Sequence, residues 1–152
     1  MHDAEYLLNI RPDEEFFTNQ ADLLVLLTSE VEVFTSENWG ERLKCFDFLK
    51  RRSDISAERF LEAIRQCSDK FSGQSRFRTA IARRINNTAI SLNSSAFSAP
   101  AAYDFVLESW VENHALFSEV HTEEIESLLD FLDLEQSFTV FASEHPILDR
   151  TT

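Results

Sequence analysis

Histidines and carboxylates are the groups in this chain best suited to chemistry, and they sit at the ends and on the faces of short apolar runs. His145 closes the run FTVFASEH on the side that carries Thr139, Phe141 and Ser143. A histidine at a pocket mouth can shuttle a proton near neutral pH; the plainer reading is a strand-end histidine bonded to backbone before Pro146. Asp104 and Glu108 share a face with Val106 and Trp110 in YDFVLESW. A partly dry pocket beside a tryptophan suits carboxylates to acid or base work, and the alternative is pairing with Arg83 or Arg84. Asp47, among Leu43, Cys45 and Leu49, poses the same choice, with a solvated pocket edge as its alternative. The expected pocket therefore joins Asp47, Asp104, Glu108, Trp110, Phe141, Ser143 and His145 on one face of a sheet.

The remaining candidates are weaker. His114 and His121 stand near expected helix starts without metal-ligand spacing and read as surface groups. Cys45 has no histidine within local reach, so a packed thiol is the better reading than a nucleophile. No phosphate loop, nucleophile elbow or metal cluster stands in the sequence, and two glycines leave little material for a nucleotide cradle. No metal and no cofactor is expected.

Such residues need a sheet to hold them. Tyr103 to Trp110 alternates with period two, as does Phe138 to Ser143 before Pro146, and apolar residues three and four apart fill the region between. Asn113 is placed to cap one short helix and Thr122 a second. Strand, helix and strand make half of a split βαβ unit, which cannot bury its own apolar face. Leu43 to Phe60 opens the other half. Leu43 to Lys50 alternates, Ser56 suits an N-cap, and Ile55 with Phe60 forms a hydrophobic staple. Phe60, Ile64, Cys67 and Phe71 mark a helical stripe that ends at Gly73. Phe77 to Ile85 reads as the next strand, and Asn86 to Ala102, uncharged, as a loop. The order is β-α-β-β-α-β: an α+β, ferredoxin-like antiparallel sheet with both helices on one face. Residues 1–40 form an N-terminal extension with added secondary structure, Val31 to Phe34 alternating like a strand, and residues 41–150 the domain. The sheet's other face is expected to be bare, and most simply buried against a second copy.

Bulk properties narrow the function. At 152 residues the chain suits one domain with a real core, and 14 phenylalanines dominate the large side chains. The net charge is −13, unevenly spread. Residues 1–40 hold nine acids and one base, residues 41–84 six acids and twelve bases, and residues 85–152 twelve acids and one base. A basic middle between acidic flanks points to charge pairing within or between subunits, and the negative surplus argues against nucleic acid. Two cysteines make no disulfide framework. No signal core and no run of about 20 apolar residues is present, so a cytoplasmic protein without a membrane span is expected.

Four segments carry a family resemblance: LKCFDFLKRRSDISAERF, YDFVLESW, DFLDLEQS and ASEHPIL. In this order and spacing they resemble the EthD-like family of the dimeric α+β barrel superfamily, across roughly Glu41 to Leu148. The resemblance implies a homodimer with two sheets face to face, each enclosing a small pocket, and includes His145 in the closing Glu-His signature. It implies a small-molecule ligand, and cofactor-independent isomerase, lyase or oxygenase chemistry on an aromatic, lactone or ether-derived metabolite. Residues 76–87 lack the aromatic and histidine pattern of catalytic members, which favours the alternative: a noncatalytic ligand-binding or accessory protein.

Overall fold

The computed structural model describes residues 26, 28–36, 43–90 and 101–143. Among these residues five strands and three helices follow one another as β1 (Thr28–Thr35), β2 (Leu43–Leu49), α1 (Ala57–Ser72), α2 (Ser75–Ala80), β3 (Ile81–Ala89), β4 (Phe105–Val111), α3 (His114–Glu126) and β5 (Phe138–Ser143). The strands form one sheet in the order β1-β3-β4-β2-β5, and every neighbouring pair is antiparallel. From β2 onward this is the ferredoxin-like β-α-β-β-α-β arrangement, with α1 linking β2 to β3 and α3 linking β4 to β5. β1 adds a strand outside β3, so part of the N-terminal stretch lengthens the sheet.

Local chemistry accounts for the main elements. Before α1, the Ser56 hydroxyl accepts a hydrogen bond from the Arg59 N–H at 3.2 Å, which satisfies one of the donors a helix start leaves free. Phe60, Ile64, Cys67 and Phe71 are the buried stripe of that helix. They meet Cys45, Leu49, Phe105, Leu107 and Val111 of the sheet and Phe117 and Val120 of α3 in one core. Both long helices thus cover the same face. Burying each such phenylalanine contributes on the order of 1.5–3 kcal/mol.

Three expectations about elements are corrected. The strand expected over Phe77 to Ile85 runs instead over Ile81–Ala89, into the expected loop, and residues 75–80 form α2, because Phe77 and Ala80, three apart, both bury on one helical side. Asn113 caps α3, its side chain accepting from the Leu116 N–H at 3.1 Å, but the helix runs on through Thr122. That hydroxyl donates to the Ser118 carbonyl one turn back at 2.8 Å and starts nothing. Tyr103 precedes β4 and packs its ring on Phe48 and Phe138, 5.3 and 5.4 Å between centroids, away from the helices.

The expected bare second face is corrected at its centre. Ile85, Val106 and Trp110 point away from the helices yet are buried, Trp110 to 2% exposure. Exposed apolar surface on that side is carried by β5, at Phe138 and Val140. The basic middle segment finds its acids within the chain. Arg83 pairs with Glu32, Arg84 with Glu124, Arg76 with Glu123, Arg51 with Asp104 and Lys44 with Glu108. Among the described residues no helix is long and apolar enough to cross a membrane.

Candidate functional site

Register decides which candidates meet. Cross-strand partners share a face. Asp47 stands opposite Leu107 on β4 and Thr139 on β5, while Glu108 stands opposite Phe46. Asp47, Thr139, Phe141 and Ser143 therefore lie on the helix side, and Glu108 and Trp110 on the other. The expected single pocket is divided by the sheet itself. Asp47, Phe141 and Ser143 do not join Glu108 and Trp110, because β2 and β5 align odd positions with the helix-facing residues of β4. His145 lies outside the described residues.

Each acid on the far side or at the strand ends is already engaged. Glu108 accepts from Asn87 Nδ2 at 2.9 Å and lies 3.7 Å from Lys44 Nζ. Its partners are thus Lys44 and Asn87, where Arg83 or Arg84 was expected. Trp110 carries the Lys44 ammonium 4.1 Å from its ring centroid and the Arg83 guanidinium at 4.8 Å, a cation–π arrangement. Asp104 falls just before β4, so strand parity does not govern it. Its carboxylate accepts from the Arg51 N–H and Nε, both at 3.1 Å, with Lys50 Nζ at 3.5 Å. A cavity of about 210 Å³ opens here, walled by Lys50, Arg51, Ala57, Phe60, Thr88 and Asp104 among others.

Chemistry converges instead on the helix side, between β2, β5 and α3. Asp47 has no solvent exposure. Its Oδ1 lies 2.8 Å from His121 Nε2, accepts from Thr139 Oγ1 at 2.7 Å, and has Cys45 Sγ at 3.9 Å; its buried Oδ2 has no hydrogen-bond partner. His121, expected at the surface, has a side chain only 17% exposed. It stacks on Phe117 at 5.1 Å, and Phe117 meets Phe141 edge to face at 6.2 Å. Phe141 is 53% exposed, so the pair opens toward solvent past an aromatic rim.

With Asp47 ionised, its Oδ1 takes the hydrogen on Nε2 and leaves the imidazole lone pair at Nδ1. A buried carboxylate that fixes one tautomer and offsets the ring's charge on protonation makes the histidine a base held in one orientation. Cys45 is the third member of the cluster, so the thiol does have a histidine in reach, through tertiary contact. Burial pushes the Cys45 thiol up, and the neighbouring Asp47 charge adds to the effect, so it keeps its proton and is a poor nucleophile.

Sequence spacing missed His121 because the helix was divided at Thr122. On one continuous helix, His121 flanks Val120, between Phe117 and Glu124, which are its buried positions. Polar residues on or beside a buried stripe were the available signal.

No family model matches this chain, and no curated protein matches it. Among solved structures, it is similar to a dimeric protein of unknown function and ferredoxin-like fold from Bacteroides fragilis NCTC 9343. The identity is 12%, the match covers 67% of this chain and 95% of the other, and the TM-score is 0.49.

Proposed function

We propose that this is a small-molecule protein that works by proton transfer, with His121 as the base and Asp47 as the group that orients it. The observation behind this reading is the 2.8 Å contact between His121 Nε2 and the fully buried Asp47. A ligand with an apolar or aromatic body would rest on Phe117 and Phe141, its acidic C–H toward Nδ1. Removing a proton at one carbon and returning it at another isomerises the ligand without oxidant or reductant. This accords with the EthD-like reading of an isomerase, lyase or oxygenase that acts on an aromatic, lactone or ether-derived metabolite without a cofactor.

The same reading includes a homodimer. Phe138 and Val140, exposed on the edge strand beside Phe46 and Phe48, support it. Light scattering should then give twice the chain mass; a stable monomer at micromolar concentration would remove the dimer. The noncatalytic alternative keeps one observation in its favour: β3 presents Arg84, Asn86 and Thr88 to the helices and carries no histidine or aromatic residue.

The test is binding of a panel of phenols and lactones, followed by turnover of each hit. His121→Ala should lower turnover by about 10²–10⁴, and Asp47→Asn should do likewise through the wrong tautomer. Binding without turnover leaves only the noncatalytic reading, and turnover indifferent to both variants rejects the site.

A further inference from the structure

We propose that Cys45, Asp47 and His121 bind one divalent transition-metal ion of the zinc class. One donor atom from each lies within 4.8 Å of the others. The set holds a sulfur, a carboxylate oxygen and an imidazole nitrogen, a mixture that favours zinc, cobalt or nickel over magnesium and calcium. With metal–donor distances near 2.0–2.3 Å, tetrahedral ligands stand roughly 3.3–3.8 Å apart. The nitrogen–oxygen and sulfur–oxygen separations of 2.8 and 3.9 Å need to change by about half an ångström at most, and the sulfur–nitrogen pair, within 4.8 Å, must close by up to about 1 Å.

A second observation points the same way. Asp47 Oδ1 serves His121, Thr139 and Cys45, whereas Oδ2, equally buried, serves nothing. A carboxylate oxygen removed from water without a donor is costly, and a cation held by both oxygens of the Asp47 carboxylate would satisfy it. Three protein ligands with the fourth position toward the partly exposed side of His121 resemble the open arrangement of reactive zinc sites. Thr139, donating to Asp47 at 2.7 Å, would fix the carboxylate as outer hydrogen bonds fix metal ligands.

The charges balance. The ion displaces the Cys45 thiol proton to solvent, Asp47 binds as the carboxylate, and His121 binds through Nε2 with its hydrogen moved to Nδ1. The loaded site is neutral and one proton is released per ion. Ligation also removes the lone pair the proton-transfer role requires, so the ion would switch that role off. The site follows from the donor cluster and stands whether or not a substrate is turned over.

Cobalt(II) is the probe, added to chelator-treated full-length protein. The expected result is one ion per chain, with a thiolate-to-cobalt charge-transfer band and the visible bands of a tetrahedral centre, both displaced by zinc. Cys45→Ser should abolish the charge-transfer band and His121→Gln the tight binding. Thr139→Val, a milder change on a mostly exposed edge strand, should weaken binding about 10–100-fold. Wild-type protein without the charge-transfer band overturns the proposal, whatever the variants do. So does a band that survives Cys45→Ser, which places the metal elsewhere.

Discussion

The Arg84 guanidinium on β3 donates to the Glu124 carboxylate on α3, and both side chains are all but removed from water. Glu124 follows His121 by three residues, so one side of α3 is fastened twice, to β3 through Arg84 and to β2 through Asp47. Arg84 Nε and Nη1 have no hydrogen-bond partner, so among the described residues Glu124 is the acid hydrogen-bonded to this charge. Glu124→Ala strands a buried cation and should cost about 3–5 kcal/mol. Replacing both partners by apolar residues, Arg84→Met with Glu124→Leu, should recover most of that loss. Urea unfolding of the three variants measures it, and a double variant no more stable than Glu124→Ala would show that the pair itself stabilises the fold.

Gly73 ends α1 with φ −74° and ψ −15°, right-handed values open to any residue. A Cβ there would meet the Asp69 carbonyl oxygen at 3.5 Å, an ordinary contact. Unlike a glycine held in the left-handed region, this one is replaceable. Gly73→Ala restricts the unfolded chain and should stabilise the protein by about 0.4–1 kcal/mol. A lower melting temperature than wild type would contradict this.

Burial pushes the Cys67 thiol up to about 11, an effect that the Ser127 hydroxyl, 3.1 Å from the sulfur, partly offsets. In the unfolded chain the thiol loses its proton near 9. Between these values the unfolded state binds fewer protons, so stability falls as pH rises. The contribution is whole below about 9 and lost by about 11. Cys67→Ala should flatten part of the alkaline decline in urea midpoints; an unchanged slope would assign the decline to other groups.

Sequence alone displayed β2, the Ser56 cap and the stripe of α1, because those signals are local: alternation, a cap and residues three and four apart. It misread residues 77–80, where Phe77, Thr79 and Ile81 also satisfy a strand's alternation, and only the joint burial of Phe77 and Ala80 marks a helix. The candidate site was harder to read. Which side of a strand Asp47 occupies is local, but whether that side matches Glu108 depends on pairing between distant strands, and a one-residue shift exchanges every face. His121 and Asp47 are 74 residues apart, a contact no spacing rule contains. The ferredoxin-like order was legible; the meeting of its side chains was not.

Phe117 and Phe141 share an edge-to-face contact but differ in burial, 3% against 53% exposed. That difference separates a core role from a ligand-binding one. Phe117→Ala removes a ring from the core and should cost about 3–5 kcal/mol. Phe141→Ala gives up at most half of a phenylalanine's burial, about 1 kcal/mol. If Phe141 is the rim on which an aromatic ligand rests, its loss should raise Kd about tenfold, near 1.4 kcal/mol, in a protein that still unfolds at almost the wild-type urea concentration. Titration of any phenol or lactone hit into Phe141→Ala decides it. Unchanged affinity would place the ligand away from the His121 pair.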